Sequence, residues 1–247
     1  MFTYQIKVEY LGTNFVGWQI QKNGLAVQEV IEKALTKILK NKTKVIGAGR
    51  TDAGVHAIGQ SAHFKTQYKI ITKNIFLNSL NFFLNKHDIS VISIKKRAQK
   101  FHARHSAKER TYQYQIVNRN SSLALEKNKA WHVKTKLDIE VMKKGAKILK
   151  GTHNFSIFRS SSCQANSPIR TIKKITIKKN KKKITITFKS KSFLQQQVRS
   201  MVGCLKNLGE GRWTLDHFKK AFKSKKRKMC ATPAPSHGLY LTNVSYN

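Results

Sequence analysis

Tyr4, Ile6, Val8 and Tyr10 alternate with Gln5, Lys7 and Glu9, the two-residue period of a half-buried strand over residues 3–10. A Gly-rich aromatic segment follows, GTNFVGWQIQ, in which Phe15 and Trp18 read as exposed. Val27, Val30, Ile31, Ala34, Leu35, Ile38 and Leu39 then recur at helical spacing, so residues 27–39 form an amphipathic helix whose stripe packs on a sheet. Val45 and Ile46 run into a turn holding Gly47, Gly49 and Gly54, and a strand resumes at 63–65. A second helix is expected over 75–84 and another strand over 89–94. The first half thus reads βαββαβ, an α+β unit with a mainly antiparallel sheet.

The second half repeats this grammar without repeating the sequence. Tyr112, Tyr114 and Ile116 share one face of a strand, residues 118–136 are polar and irregular, and Ile139, Met142, Ala146 and Leu149 mark a helix over 138–149. Strands at 175–178 and 184–188 are joined by the tip KKNKKK. The stretch SFLQQQVRSMVGCLKNLGEGR is read as one helix with Leu194, Val198, Met201, Val202, Leu205 and Leu208 as its buried stripe. A Pro-broken loop leads to a closing strand with Leu239, Leu241 and Tyr246. Two α+β lobes are expected, an N-terminal one over 1–105 and a C-terminal one over 106–247, with a cleft between their sheets.

Composition narrows the function. The 247 residues carry 49 Lys and Arg against 11 Asp and Glu, a net charge of +38, which calls for a polyanionic partner. Abundant Lys, Asn and Ile also suit a composition bias, so Lys is read as a diffuse field and the ten Arg as positioned forks. Arg50, Arg104, Arg110, Arg159, Arg170 and Arg199 all fall in motif-like stretches. No apolar run approaches the ~18 residues of a membrane span, and the start lacks the layout of a signal peptide, so a cytoplasmic protein is expected. Cys163, Cys204 and Cys230 form no CxxC pair, the nine His are dispersed, and no phosphate loop occurs. Neither metal nor organic cofactor is expected.

With so few carboxylates, Asp52 stands out at the tip of GRTDAGVHA, residues 49–57, with Arg50 before it, His56 after it and small neighbours that leave room for a ligand. An Asp accepting backbone N–H groups in an Asx turn is the plain alternative. A second chemical stretch is KFHARHSAKERTYQYQI, where Arg104, Lys108 and Arg110 interleave with His102 and His105 ahead of the two tyrosines. Aromatics beside a basic cluster suit base stacking and phosphate contact, while cross-strand packing explains the same tyrosines. Arg199 lies among the apolar residues of its helix, and no acidic residue occurs between Glu140 and Glu210, so its anionic partner must come from a distant segment. On these residues alone a catalyst acting on RNA, a non-catalytic RNA-binding protein and an N-glycosidase using Asp52 all remain open.

GRTDAGVHA with the trailing Gln60, His63 and Phe64 resembles the signature of the bacterial tRNA pseudouridine synthases of the TruA family. So do GTNFVGWQIQ, FHARHSAKERTYQY, GTHNFSIF and FLQQQVRSMVG, which together span nearly the whole chain. His105 replaces a common Phe, Asn154 replaces Asp, and Asn85-Lys86-His87 replaces a turn that usually holds Pro. The resemblance implies the pseudouridine synthase fold: two similar α/β lobes, mainly antiparallel, forming a central RNA-binding cleft in a homodimer. It implies cofactor-free isomerisation of uridine at positions 38, 39 and 40 of the tRNA anticodon arm. It further implies Asp52 as nucleophile, Arg199 paired with Asp52 to orient it, and Tyr112 stacked on the flipped uracil. Arg50, Arg104 and Arg110 become candidates for phosphate or flipping contacts.

Overall fold

The computed structural model describes residues 1–246, which form two compact units. The first runs from Met1 to Lys108 and takes back the chain from Tyr240; the second runs from Glu109 to Leu239. Among the described residues are ten strands and five α-helices, mostly antiparallel in pairing, and no helix is long and apolar enough to cross a membrane.

In the first unit β1 (Phe2–Tyr10) buries Tyr4, Ile6, Val8 and Tyr10 as its alternation requires. α1 (Val27–Leu39) buries Val27, Val30, Ile31, Ala34, Leu35 and Leu39. β2 (Val45–Gly47) leads to β3 (His56–Thr66), α2 (Lys73–Leu84) and β4 (Ile89–Arg97). α2 buries Phe76, Leu80 and Leu84, one residue per turn. β1 pairs antiparallel with β4 on one side and β3 on the other. The far side of β3 takes β2 opposite Ala62–Phe64.

The second unit opens with β5 (Glu109–Asn118), and the short β6 (Trp131–Val133) interrupts the stretch expected to be irregular. α3 (Ile139–Leu149) starts where expected because the Asp138 carboxylate accepts from the Glu140 and Val141 N–H groups. β7 (Gly151–Asn154), β8 (Ile169–Asn180) and β9 (Lys183–Ser190) complete an antiparallel ladder in the order β5–β9–β8–β7. β8 and β9 run well beyond the expected apolar cores into the lysine tip, and Lys181 turns the chain at a φ of 52°. Ladder bonds carry the polar residues there.

α4 (Gln197–Gly209) is shorter than the helix expected from its stripe. Gln196 has a φ of 61° and the Gln197 side chain accepts from Leu194 N–H, so Leu194 is buried from the preceding turn rather than from the helix. α5 (Leu215–Ser224) was not expected; Thr214 caps it and it buries Phe218 and Ala221. β10 (Leu239–Ser245) then pairs parallel with β3, Tyr240 opposite His56 and Leu241 opposite Ala57.

Sequence reading had Phe15 and Trp18 exposed, but they are 5% and 2% exposed. The reason is a strap formed by residues 12–18. Trp18 N–H donates to Thr51 O and Gly54 N–H to Phe15 O, and Trp18 lies over Gly47, where a Cβ would stand 2.5 Å from the indole nitrogen. At Gly17 the φ is +119° and a Cβ would meet Thr51 O at 2.4 Å, so only glycine fits.

β3 carries a row of buried polar groups, His56, Gln60, Ser61 and His63. Each ends on a loop. His56 Nδ1 accepts Gly12 N–H at 2.8 Å, the Gln60 amide donates to Gly49 O at 2.7 Å, and the Ser61 carbonyl accepts Ala48 N–H. His63 Nδ1 accepts Ala103 N–H at 3.1 Å. Burial, then the charges of His102 and Lys65, pull the His63 pKa down to about 4.

Two outcomes follow. Gly17→Ala should cost about 2 kcal/mol and lower the melting temperature by roughly 4–8 °C in calorimetry, through strain and collision with Thr51. Because His63 is neutral when folded and titrates near 6.5 when unfolded, the unfolded chain binds more protons between those values. Stability is therefore complete above about pH 6.5 and falls toward pH 4 by roughly 3 kcal/mol through this residue. Urea titrations at stepped pH should show that slope flattened in His63→Asn; equal slopes would exclude this origin.

Candidate active site

β2 delivers the chain through Ala48, Gly49, Arg50 and Thr51 to Asp52. The Thr51 side chain points inward, 2.8 Å from the buried Tyr10 hydroxyl, while Arg50 stays exposed and Asp52 half-buried. Val55 N–H donates to Asp52 O, and Gly54 at φ +74° completes the turn that begins β3. The backbone of Asp52 bridges to Gly17 of the strap. The carboxylate is thus presented by a turn fixed on both flanks: an anchored threonine before it and the His56 clamp after it.

A second turn of the same unit, residues 102–106, holds Arg104. Its own side chains close it. His102 N–H donates to Ser106 Oγ, and His102 Nδ1 accepts from the N–H groups of Arg104 and His105 at 3.2 Å each. The rings of His102 and His105 are 4.2 Å apart, and burial with the charges of His105 and Arg104 keeps the His102 pKa below its ordinary value. Tyr246, from the last stretch of the chain, donates its hydroxyl to Ala103 O at 2.9 Å. Arg104 projects outward, exposed, as does Arg50. Among the described residues no three His, Cys, Asp or Glu side chains converge to hold a metal.

In the second unit Tyr112 lies opposite Phe188 and meets Phe193 edge-on, ring centres 5.2 Å apart. It is 8% exposed. Tyr114, two residues on, is fully buried and donates its hydroxyl to Pro235 O at 2.7 Å; burial raises its pKa, with the Arg199 charge opposing. Arg110 is 9% exposed and its guanidinium donates to Lys191 O, bracing the segment that carries Phe193. Arg199, half-buried on α4, donates Nε–H to Ala234 O at 2.7 Å and accepts Ala234 N–H on its carbonyl. The helix reaches this loop closely enough that a Cβ on Gly203 would lie 2.1 Å from Thr232 O. Asn154 accepts from Ser156 N–H and its hydroxyl, a turn in which an amide serves as well as a carboxylate.

Asp52, Arg50 and Arg104 lie in the first unit, and Tyr112, Arg110 and Arg199 lie in the second; the chain from Tyr240 on, expected in the C-terminal lobe, belongs to the first unit. The sequence did not reveal the supports: Tyr10, Gln60 and His63 around the first set, Phe193 and the loop 232–235 around the second. The signal available was His56, Gln60 and His63 in a segment that also carries Ala57, Ile58, Ala62 and Phe64. Other carboxylates have structural tasks. Glu29, Glu109, Glu126, Glu140, Glu210 and Asp216 face lysines, Glu32 accepts Val45 N–H, and Asp138 caps α3.

The family model described as tRNA pseudouridine synthase matches residues 6–106 and 146–247. A protein of Pelagibacter ubique (strain HTCC1062) named tRNA pseudouridine synthase A is 58% identical over 246 residues, covering 100% of both chains. Relatives of the same name from Ehrlichia ruminantium (strain Gardel) and Parvibaculum lavamentivorans are 45% and 41% identical, each over at least 98% of both chains. Matched through both units and along the full length of these relatives, the chain belongs to the tRNA pseudouridine synthase family, isomerases that convert uridine to pseudouridine in tRNA.

Proposed function

We propose that the uridines isomerised lie at positions 38, 39 and 40 of the anticodon arm and that Asp52 is the nucleophile. The supporting observation is the presentation of Asp52: one of 11 acidic residues, half-buried at the tip of a turn held by Tyr10, Gly17, His56 and Gln60. Such pre-positioning is what a group acting on a bond at a fixed angle needs. The reaction breaks C1′–N1, turns the uracil and forms C1′–C5, while the C5 proton leaves and N1 gains one. No electrons are gained or lost. Asp52 attacks C1′ or C6, or removes the C2′ proton, and in each case an ionised carboxylate is required.

Arg199 keeps Asp52 charged and oriented in this reading, since a nearby cation favours the carboxylate. Tyr112, its ring steadied by Phe193, stacks on the flipped base, and Arg110 serves it through the Lys191 brace. Arg50 and Arg104 contact phosphates. Unstacking a base costs a few kcal/mol and is cheapest near a loop, which favours the anticodon arm. The enzyme acts as a cytoplasmic homodimer.

With unmodified tRNA transcript, carbodiimide-stop primer extension should show stops at 38–40 with the wild type, and Asp52→Asn should lower turnover by at least about a thousandfold while still binding tRNA. Stops elsewhere would refute the site, and abasic product would indicate base release instead. Arg50→Gln and Arg104→Gln should each raise KM with little change in kcat and reduce the slope of log K against log salt by about 0.7–0.9 per lost phosphate contact. An unchanged slope removes that residue from the RNA surface. Sedimentation at twice the 28.3 kDa chain mass checks the dimer.

A further inference from the structure

Cys204 and Cys230 are 26 residues apart, yet their sulfurs lie 3.6 Å from each other. Both thiols are free. Cys204 is 1% exposed on the inner side of α4, one turn beyond Ser200; Cys230 is half-buried and follows a one-turn helix, Arg227–Met229. The Arg227 guanidinium donates to Ser200 Oγ at 2.8 Å and to Ile157 O at 3.2 Å, so a fixed cation stands beside the pair. The hydrogen bond from Cys204, then the Arg227 charge and Ser200, hold the Cys230 thiol below its ordinary pKa against the effect of burial. The same shared hydrogen bond and burial push the Cys204 thiol up. Cys230 is therefore the more acidic and more exposed thiol of the pair, and Cys204 is a buried neighbour already in contact.

We propose that Cys204 and Cys230 form a modification site at which a peroxide closes a reversible disulfide, and that closure slows the isomerase by displacing the support of Arg199. The Cys230 thiolate attacks a peroxide oxygen, the O–O bond breaks, and hydroxide leaves to take a proton. The resulting sulfenic acid is attacked by Cys204 sulfur; the S–O bond breaks and water departs with the Cys204 proton. Two thiols lose two electrons in all, and one hydrogen peroxide becomes two waters. A disulfide needs its sulfurs about 2 Å apart, so closure draws Cys230 toward α4.

The loop that follows Cys230 leads directly to the support of Arg199. Cys230 is four residues before Ala234, whose carbonyl accepts from Arg199 Nε, and between them Thr232 O already touches Gly203 of the helix. The consequence for turnover rests on the role given to Arg199 above; the chemistry of the thiols does not. Cys163, the third thiol, is buried and has the Arg159 guanidinium on its carbonyl at 2.5 Å.

The test uses the full chain, reduced, assayed with tRNA and then exposed to a few equivalents of hydrogen peroxide before alkylation. Expected are a mass lower by about 2 Da before alkylation, a tryptic crosslink joining the Cys204 and Cys230 peptides with Cys163 alkylated after it, and a roughly tenfold drop in turnover that dithiothreitol reverses. Cys230→Ser should keep both its mass and its turnover under peroxide. A gain of oxygen at Cys230 with no crosslink, or no reaction at all, overturns the site. A crosslink that leaves turnover unchanged overturns the coupling to Arg199 while the site stands. The reduced enzyme's activity, measured first, reports separately on the proposed function.

Discussion

Four buried polar groups on one strand hold the first unit's chemistry in place. β3 pairs with β1, β2 and β10, so it cannot move, and the polar side chains and carbonyl it turns inward must find partners or bear the cost of desolvation. Their partners are the backbones of three loops: Gly12 of the strap, Ala48 and Gly49 before Asp52, and Ala103 beside Arg104. A turn rich in glycine, as this one before and after Asp52 is, would otherwise lose order to conformational entropy. The cost of burying polar groups becomes the precision of the turn.

The two histidines of this strand do their work uncharged. Each accepts a backbone N–H at Nδ1, which a protonated ring could not do. A chain of net charge +38 suits that arrangement, because neighbouring cations such as Lys65 disfavour a further positive charge. For His63 burial is the larger cause of neutrality, and the charges of His102 and Lys65 add to it.

In the second unit the analogous support is a helix against a loop. α4 presents Arg199, and the Ala234 peptide answers it twice, through its carbonyl and its N–H. Tyr114 ties Pro235 to β5, and Gly203 permits the close approach of Thr232. Tyr112 and Tyr114 differ in task although they sit two residues apart on one face: one is steadied by Phe193 at the margin, the other is locked to the loop carbonyl. The thiol pair lies at the root of that same loop, which is why its redox state bears on the arginine.

The sequence by itself determined the helices and strands whose apolar residues recur at regular period, as over Val27–Leu39 and Phe2–Tyr10, since burying one face requires that period. It determined Asp52 as the carboxylate to notice, because a glycine turn and a scarcity of acids are visible without coordinates. It left β6, β7 and α5 unseen, short or amphipathic pieces whose pattern is weak, and it stretched α4 across the left-handed Gln196. Tertiary structure alone decided that Phe15 and Trp18 are buried, that His56 and His63 are clamps, and that Cys204 meets Cys230. Each of those depends on contacts between segments distant along the chain, and local periodicity carries no information about which distant backbone a buried polar group will meet.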